Sequence, residues 1–538
     1  MFDGLTEIQS VAVVGASPRS ELARAALENL VRFGPQARVY AVHPAAIPPP
    51  GAIAAPSLAE LPEIPDLCLD AAKRGVQRFV IPGGGGNEGG DAIRLELHEL
   101  IKRRSLSVIG PNCMGMVSFS AGIAPYIGWI APGIKHGTVG IVSQSGSVCE
   151  ICTALEWRVG FSHIVSVGNE FGADLSDGLA FMAGDPNTLA IGLFVEGVRR
   201  PVEFRRGLEA AASQGKPVVV LKAGRSKIGA AGALAHSGSM AVDAEVFSGV
   251  LRSANAIEVR DIEELLTVLE LLGKGVTRAP DRVVLVGDSG GEANLFADLA
   301  ADRGIDLPTL TDQTSSNLNR QFPMLGHASN PLDLWALGPP EDIYSSGVRL
   351  LLQSEPHLVV IGLDKHLAGS AAGGKLVESA LAGVTDSGSA LLMAFGGADV
   401  ADASVLKQCW ISGVPVTRGA ATTVSALAAL GRWRSCAKTH PNQAPPIGPV
   451  DVIAAAITSL GDGDVTWSEW ASKRLLECAH IGLPKETQVF NVNEALEAAQ
   501  RLGYPVVVKA SAPNLPHKTE VRGVRLNLVS QTEVANAA

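Results

Sequence analysis

Short apolar runs alternate with amphipathic segments along most of the chain, and turns rich in Gly, Pro or Ser join them. The first such pair is the apolar run Ser10–Val14 and the helically spaced segment Glu21–Phe33, joined by the turn Gly15-Ala16-Ser17. Continuous apolar runs of this kind are typical of strands buried on both faces of a parallel sheet. The pattern predicts an α/β protein with a Rossmann-like opening, although this turn lacks the full GxGxxG signature.

The chain of 538 residues is too long for one hydrophobic core, and the usual domain size predicts roughly three or four domains. Two stretches without the strand–helix rhythm mark boundaries, Val276–Asp281 and the proline-bearing His440–Pro449. The second of these predicts a linker. The predicted divisions are an N-terminal domain 1–125, two further α/β domains 126–278 and 279–436, a linker 437–465 and a C-terminal domain 466–538.

Charge and cysteine usage limit the partners and the setting. The net charge of −10 argues against nucleic acid or an anionic membrane surface as the main partner. No apolar segment approaches the ~20 residues of a membrane span, so we expect no membrane partner. Seven cysteines at irregular spacings fit a reduced cytoplasm. The pair Cys149-x-x-Cys152 is either redox-active or part of the core, and packing is the favoured interpretation.

The segment Ala233–Ser239 carries the strongest candidate for catalytic chemistry, His236. It follows the apolar run Val218–Leu221, a predicted buried strand, and a helix is predicted to begin shortly afterwards. Backbone N–H groups at a helix start stabilise phosphate oxygens, and an imidazole is nucleophilic near neutral pH. The pattern permits a phosphorylatable histidine, although for His236 taken alone a capping or solvent-facing histidine is the favoured interpretation. The phosphate-binding residues predicted beside it are Ser237, Gly238 and Ser239.

Two other segments predict groups that would complete a phosphate site around His236. Gly137–Gly146 predicts a strand, a tight polar turn and a helix start, where Ser145 and Gly146 offer hydroxyl and backbone donors; taken alone, the segment favours a plain N-cap. Glu196 directly follows an apolar run, at a strand end where doubly wound folds place ligands. Its carboxylate would hydrogen-bond one ring nitrogen of the histidine, or it is a surface acid at a strand end.

The whole chain resembles the NDP-forming acyl-CoA synthetases, the superfamily that includes succinyl-CoA synthetase and ADP-forming acetate–CoA ligase. Gly215–Ser226 followed by Ala235–Ser239 is similar to that family's phosphohistidine segment, with Ser237 where Thr is commoner. The resemblance implies that His236 is phosphorylated and that Glu196 steadies it. It also implies a multidomain α/β fold with a Rossmann-like CoA-binding domain, two flavodoxin-like ligase domains and the start of an ATP-grasp domain.

The N-terminal domain is similar to the family's CoA-binding domain. In the family, the turn after the first strand, the end of the second strand and a Gly-Pro-Asn segment approach the nucleotide. This sequence has His43-Pro44 where Asn-Pro is usual, so it departs from the family at that contact. The residues that the resemblance implies for CoA binding are Gly15, Ala16, Ser17, His43, Pro82, Pro111 and Asn112.

A larger departure from the family lies around Leu69-Asp70. Within Pro65–Gly75 an apolar strand begins and passes almost at once into what resembles the tail of a helix. The family has a full strand, a turn and most of a helix between these points. Either part of a βα unit is lost or residues are missing from the numbering. The second is favoured, because removal of a strand and helix would expose core on one face of the sheet.

Residues 279–436 resemble the family's second ligase domain, and the segment from Gly503 resembles the opening of an ATP-grasp domain. Lys509 matches a nucleotide-phosphate lysine, and His517 matches the mobile-loop histidine that relays phosphate between ligase site and nucleotide. The alternatives are a strand-end surface lysine and a turn residue. The chain stops at Ala538, before the second half of an ATP-grasp fold. The acids that bind Mg²⁺ and the rest of the nucleotide cleft are therefore expected outside this sequence.

The resemblance implies an acid–thiol ligase that converts a carboxylic acid, CoA and ATP into acyl-CoA, ADP and phosphate, through an acyl phosphate and a phosphohistidine. The resemblance does not choose between two classes of carboxylic acid substrate, acetate-like acids and aryl or hydroxycinnamic acids such as ferulate. Two alternatives also stay open: the acyl-CoA-binding regulatory scaffold of a protein lysine acetyltransferase, and a noncatalytic CoA-binding protein. We expect a cytoplasmic homo-oligomer, a dimer, with no nucleic-acid partner.

Overall fold

A computed structural model describes most of the chain, and the structural statements below concern these residues alone. They are residues 8–34, 36–62, 67–69, 76–83, 90–230, 244–276, 280–335, 337–363, 371–394, 403–439, 468–478, 481–512 and 523–538. The predicted phosphohistidine segment and the loop that carries His517 lie outside them. The chain divides into two units, Met1–Ala444 and Pro445–Ala538. This division falls within the predicted linker 437–465.

The first sheet confirms the Rossmann-like prediction. Its six strands are all parallel, in the order β3-β2-β1-β4-β5-β6. The strand order reverses at β1, which leaves a crevice at the carboxyl ends of β1 and β4 where doubly wound sheets bind nucleotides. The elements are β1 (Ser10–Val14), α1 (Glu21–Phe33), β2 (Arg38–Val42), β3 (Ala52–Ala55), β4 (Leu67–Leu69), β5 (Arg78–Val80), α2 (Gly90–Arg104) and β6 (Ser107–Ile109).

Helix α1 shows why the sequence folds this way locally. Ser20 lies at its N-cap and accepts a hydrogen bond from the backbone N–H of Ala23, which satisfies one of the first-turn donors. The helix buries Ala26, Leu27 and Leu30 at helical spacing against the sheet. The apolar residues at Leu67–Leu69 do form a strand, between β1 and β5. Residues 70–75 lie outside the described part, so the expected missing segment stays a prediction.

The second sheet has the strand order β12-β11-β10-β8-β9-β7. From β12 to β9 all pairs are parallel, and this order of five strands is that of flavodoxin-like folds. The strands are β7 (Gly115–Ser118), β8 (Lys135–Ser143), β9 (Gly160–Ser166), β10 (Ala190–Val195), β11 (Val218–Lys222) and β12 (Ile257–Val259). The helices are α3 (Gly146–Ala154), α4 (Leu175–Gly184), α5 (Pro201–Ser213), α6 (Ala244–Ser253) and α7 (Ile262–Gly273).

Strand β7 extends the second sheet at its β9 edge. It pairs antiparallel with β9, from Gly115 opposite Ser166 to Ser118 opposite His163. The predicted N-terminal domain 1–125 includes this strand, but the chain already enters the second sheet at Gly115. Gly115 has a φ of +91°, a backbone conformation that glycine adopts without steric cost. The chain thus passes from the first sheet into the second at Gly115.

The third sheet has the order β14-β13-β15-β16-β17 and is parallel throughout. This is again the flavodoxin-like order, as predicted for the second ligase domain. Its strands are β13 (Val283–Gly287), β14 (Leu332–Asp333), β15 (Leu358–Gly362), β16 (Ala390–Ala394) and β17 (Val416–Arg418). Its helices are α8 (Gly290–Asp302), α9 (Asp312–Gln321), α10 (Pro340–Ser354), α11 (Ala371–Gly383), α12 (Ala403–Ile411) and α13 (Ala420–Thr439).

The second and third sheets share one hydrophobic core. Buried residues of α7 and α13 belong to the same cluster as strand residues of both sheets. A buried ion pair of the second sheet's domain lies at this junction, with Arg158 Nε 2.9 Å from Glu270 Oε2. Glu270 reaches the third sheet, because its Oε1 accepts a hydrogen bond from the backbone N–H of Val416 at 2.8 Å. Lys274 Nζ also crosses the junction and donates to the Val414 carbonyl at 3.0 Å. The two flavodoxin-like sheets are therefore joined by apolar packing and by buried charged groups.

The C-terminal unit contains a two-stranded antiparallel sheet and three helices among its described residues. The elements are α14 (Glu469–Cys478), α15 (Val492–Leu502), β18 (Val506–Lys509), β19 (Val524–Leu528) and α16 (Gln531–Ala537). A small core of Ala495, Ala499 and Val534 joins α15 to α16. Among the residues that the structure describes, no helix is both long and apolar enough to cross a membrane.

Candidate functional site

The predicted phosphate turn and the predicted acid lie side by side at one edge of the second sheet. β8 ends at Ser143 and leads into Ser145 and α3, while β10 ends at Val195 and leads into Glu196. The two strands are neighbours, with Phe194 paired to Ser143. Because the strand order changes direction between β8 and β10, this edge is the switch point of the sheet, where such folds place ligands.

The turn before α3 is held by its own hydroxyl groups. Ser143 Oγ donates to the carbonyl oxygen of Ser145 at 2.7 Å and accepts from the Ser145 backbone N–H at 3.0 Å. Ser145 lies at the N-cap, but its hydroxyl makes no capping hydrogen bond and instead lies 2.9 Å from Ser147 Oγ. A plain N-cap is therefore wrong for this side chain. The first-turn donors of α3 are not capped by it, which suits an anion at this helix end.

Gly146 at the start of α3 is required by packing. A Cβ at this position would lie 2.8 Å from Met114 Cγ, in the segment that leads from the first sheet into β7. A larger residue would therefore displace either the helix start or the Met114 segment. The glycine allows the backbone of α3 to approach its neighbour closely.

The backbone of Glu196 is fixed from both sides. Its N–H donates to Gln144 Oε1 at 2.6 Å, and its carbonyl accepts from Lys222 Nζ at 2.8 Å. Lys222 is buried at the end of β11, and burial lowers its pKa. The Glu196 side chain is half-buried. His236, Ser237, Gly238 and Ser239 lie outside the described residues, so their meeting with Glu196 stays a prediction.

Two residues of this edge, Gln144 and Glu170, are functional candidates that the sequence reading missed. Glu170 is 8% exposed and has a left-handed φ of 56°, a conformation uncommon for residues other than glycine. Burial raises the pKa of its carboxyl group. It accepts from Arg199 Nε at 3.0 Å and from the Leu175 backbone N–H at 2.9 Å. The sequence Gly168-Asn169-Glu170 has no hydrophobic pattern that would predict a buried carboxyl group.

A cavity of about 240 Å³ opens at the end of β1 in the first sheet. The predicted CoA contacts Ala16 and Ser17 line it, and the predicted Gly15 precedes them with a φ of +79°. The cavity adds Arg24 and Ile47, which the sequence did not single out. The remaining lining residues are Pro18, Ala23 and Leu27. A mixed apolar and cationic lining is suited to a nucleotide.

The other predicted CoA residues lie at the same edge of the first sheet. His43 follows β2, Pro82 follows β5, and Pro111 and Asn112 follow β6. His43 Nδ1 accepts a hydrogen bond from the backbone N–H of Ala45 at 3.0 Å, so that nitrogen is occupied locally. Their common position follows from the parallel sheet, whose strand ends all meet at one edge. Whether these side chains contact CoA stays a prediction.

In the C-terminal unit, Lys509 ends β18 as predicted from the apolar run before it. Its ammonium group lies 3.1 Å from Glu469 Oε1, and Glu469 also pairs with Lys473 at 2.9 Å. Lys509 is exposed and belongs to a surface ion-pair cluster of this unit. Its role at a nucleotide phosphate stays a prediction, and His517 lies outside the described residues.

Comparisons with known proteins agree with this architecture. A succinyl-CoA ligase-like flavodoxin domain model matches residues 136–272, and an ATP-grasp domain model matches residues 458–538. The chain is 30% identical to acetate–CoA ligase [ADP-forming] I of Archaeoglobus fulgidus, over 96% of this chain and 76% of that protein. It is 31% identical to a trans-feruloyl-CoA synthase of an unknown prokaryotic organism, over 100% of this chain and 78% of that protein. The chain belongs to the NDP-forming acyl-CoA synthetase family.

A solved structure of a family member shares the fold. The dinucleotide-forming acetyl-coenzyme A synthetase 1 of Ca. Korarchaeum cryptofilum, in complex with phosphate and ADP, superposes with a TM-score of 0.70 at 24% identity. The match covers 82% of this chain and 99% of that one. At this identity the match supports the three-sheet fold alone. The predicted α/β class with Rossmann-like, flavodoxin-like and ATP-grasp parts is thus confirmed for this family member.

Gly168 follows β9 in the second sheet and lies against the Pro111–Asn112 backbone at the predicted CoA edge of the first sheet. Its replacement by alanine is expected to weaken CoA binding about tenfold. It has a φ of +58°, and a Cβ there would collide with the carbonyl oxygens of Pro111 and Asn112. The Gly110–Asn112 segment would have to move away from the predicted CoA edge. Isothermal titration of CoA with the Gly168→Ala variant measures the change.

Gly215→Ala is the matched control for this prediction. Gly215 also has a left-handed φ, +69°, but a Cβ there would meet nothing within 4 Å. It therefore carries the same kind of backbone strain without the collision. Equal CoA affinities of the two variants would show that the Gly168 contact does not support the CoA edge.

The cysteines described here are core residues. Cys113, Cys149, Cys152 and Cys409 are buried and unpaired. Burial raises the pKa of Cys113, Cys152 and Cys409 to about 12, and it raises the pKa of Cys149 well above its ordinary value. A thiol with such a pKa is almost wholly protonated at neutral pH and reacts poorly. For Cys149-x-x-Cys152 the structure therefore favours packing over redox chemistry.

We expect these four thiols to resist alkylation in the folded protein. Iodoacetamide at pH 8 should leave their peptides unmodified and should modify them fully after denaturation in guanidinium. Peptide mapping by mass spectrometry reads each position separately. Rapid labelling of Cys149 or Cys152 in the folded state would mean that α3 opens in solution, against the packing described above.

Proposed function

We infer that the chain is an ADP-forming acid–CoA ligase whose phosphoryl chemistry takes place at the switch point of the second sheet. The observation that carries this proposal is the convergence of the Ser145–Gly146 helix start with Glu196 at one edge. A phosphoryl group needs donors for its oxygens and a nucleophile held in one orientation. The uncapped start of α3 supplies the first, and His236 beside Glu196 would supply the second.

The proposed reaction passes through a phosphohistidine on His236. A carboxylate oxygen of the acid attacks the phosphorus, the N–P bond breaks, and an acyl phosphate and a neutral imidazole result. The CoA thiolate then attacks the carbonyl carbon, the C–O bond to phosphate breaks, and acyl-CoA and phosphate form. The donors of Ser145, Gly146 and Ser237–Ser239 would hold the phosphate throughout. Catalysis at these steps is positioning and charge stabilisation.

Each part of the chain has a place in this proposal. The first sheet would bind CoA through the cavity after β1, and the second and third sheets would form the ligase body. His517 would carry the phosphoryl group between the nucleotide and His236, and Lys509 would contact the nucleotide phosphates. The nucleotide would bind with Mg²⁺. Within the described ranges, no group of three or more His, Cys, Asp or Glu side chains could hold a metal ion, so no step is assigned to one here.

The proposal also covers setting and assembly. A reduced, cytoplasmic setting accords with the four buried cysteines that carry no disulfide. A homodimer is proposed on the family resemblance and is tested by light scattering of the purified chain. The regulatory-scaffold alternative is not favoured, because relatives that match 96% and 100% of this chain bear the names acetate–CoA ligase and trans-feruloyl-CoA synthase.

The substrate is proposed to be a small carboxylic acid, and a panel of acids tests this. Acetate and ferulate represent the two relatives named above, and further short-chain and aryl acids extend the set. Each acid is incubated with the full-length protein, CoA, ATP and Mg²⁺, and both thioester and ADP are measured. We expect one acid class to release ADP in step with acyl-CoA. ADP release without thioester for every acid, or neither product, would contradict the ligase proposal.

A further inference from the structure

The side chain of Gln144 continues the sheet where the backbone of β8 turns away. The ladder between β8 and β10 ends with Ser143 opposite Phe194. Beyond it, Gln144 Oε1 accepts from the backbone N–H groups of Glu196 and Gly197 at 2.6 and 3.1 Å, and Nε2 donates to the Gly197 carbonyl at 2.9 Å. One side-chain amide thus pairs with three backbone groups that the departing strand would leave unpaired.

The orientation of this amide is determined by its partners. Oε1 faces two N–H donors and Nε2 faces a carbonyl acceptor, so a flipped amide would place donor against donor and acceptor against acceptor. Gln144 is 6% exposed, so water does not replace these bonds readily. The amide therefore fixes the position of the Glu196 backbone rather than merely contacting it.

A buried network holds Gln144 in turn. Its side chain lies beside the carboxyl group of Glu170, whose pKa it lowers against the rise caused by burial, and Arg199 and the Leu175 backbone N–H hold that carboxyl group. Asn169, the residue before Glu170, lies 3.3 Å from Asn112 through its Oδ1 atom. The network thus extends from the predicted CoA edge of the first sheet to Glu196.

We propose that Gln144 is a positioning residue for the phosphoryl transfer. It holds the Glu196 backbone against the start of α3, so that the Glu196 carboxylate can orient the imidazole of His236. This inference rests on the proposed function and adds a residue that the family comparison and the sequence patterns leave without a role. A misplacement of about 1 Å at such a site costs about 10²-fold in rate.

A double-mutant cycle tests the proposal. The full chain is incubated with radiolabelled inorganic phosphate and either acetyl-CoA or feruloyl-CoA, and the initial rate of labelling at His236 is measured. Gln144→Met keeps the length of the side chain but removes its hydrogen bonds, and we expect labelling to slow about 10²-fold. Glu196→Gln should slow it similarly. If Gln144 acts through Glu196, the double variant should be no slower than Glu196→Gln alone.

Controls separate positioning from folding. Gln313→Met, at an exposed glutamine of α9, should label at the wild-type rate. Gln144→Asn takes the place of Gln144→Met in the cycle if the latter does not fold, since it keeps the amide but shortens its reach. If neither variant folds, the role of Gln144 is structural and the proposal is overturned.

The outcomes distinguish this inference from the proposed function. A double variant whose labelling rate falls by the product of the two single losses would overturn the positioning role and leave the proposed function intact. Labelling of Gln144→Met at the wild-type rate would do the same. A wild-type chain that takes no label at His236 from either acyl-CoA would contradict the proposed function, and the positioning role would fall with it. Slowed labelling of Gln144→Met together with no further loss in the double variant supports both.

Discussion

Replacement of His236 by asparagine should lower ATP formation from acyl-CoA, phosphate and ADP by at least about 10³-fold. Asparagine is similar in polarity but cannot carry the phosphoryl group, so the transfer between acyl phosphate and nucleotide loses its covalent intermediate. The release of CoA from acyl-CoA by phosphate does not need the histidine as nucleophile. That half-reaction should stay within about tenfold of wild type, and both rates are measured on the full-length protein.

His327→Asn is the matched control for this prediction. His327 is exposed and lies in the part of the chain that forms the third sheet, not the second. It should leave both rates unchanged. Loss of both half-reactions in the His236 variant with an intact thermal unfolding transition would point to a binding role instead. ATP formation at the wild-type rate would remove His236 from the mechanism.

Loss of the buried ion pair at Arg158 should cost about 3–5 kcal/mol of unfolding free energy in Arg158→Met. The guanidinium is 2% exposed and contacts Glu270 Oε2 at 2.9 Å and Glu263 Oε1 at 2.5 Å. Removal of the cation leaves the buried Glu270 carboxylate without its main partner, at the junction of the second and third sheets. Urea unfolding followed by circular dichroism measures the loss.

Two further variants make this stability prediction specific. Arg158→Lys keeps the charge but cannot make the forked contacts, so we expect an intermediate loss. Arg282→Met removes the exposed pair Arg282–Asp306, whose side chains are 51% and 59% exposed, and should cost no more than ~1 kcal/mol. Equal losses for Arg158→Met and Arg282→Met would show that the junction does not depend on the buried pair.

The fold and the edge position of the site could be predicted from local patterns. Apolar runs such as Ala190–Val195 and Val218–Leu221 form the buried strands β10 and β11, because a parallel sheet covered on both faces needs continuous apolar sequence. Ser145 and Glu196 follow neighbouring strands, so the topology brings them to one edge. Ser145 and Glu196 are 51 residues apart, but each follows an apolar run that predicts the end of a strand, so each position could be predicted separately.

The residues that the sequence did not reveal depend on partners that are distant in the chain. Gln144 belongs to a turn whose pattern predicts donors or a cap at Ser145 and Gly146 and no role for the glutamine, and its contacts are with backbone groups that follow another strand. Arg158 and Glu270 are 112 residues apart and pair only because α7 packs beside the start of β9 in the second sheet. Strand β7 lacks a strong apolar pattern and joins the sheet through its antiparallel partner β9. Such contacts are tertiary, and no local periodicity encodes them.

The most direct measurement is the site and amount of phosphorylation of the chain. The full chain is incubated with radiolabelled phosphate and acetyl-CoA or feruloyl-CoA in the absence of nucleotide, and peptides are mapped at alkaline pH, where phosphohistidine persists. We expect about one phosphoryl group per chain, acid-labile and located on His236, with at least one of the two thioesters. No label with either thioester, or label on another residue, would contradict it.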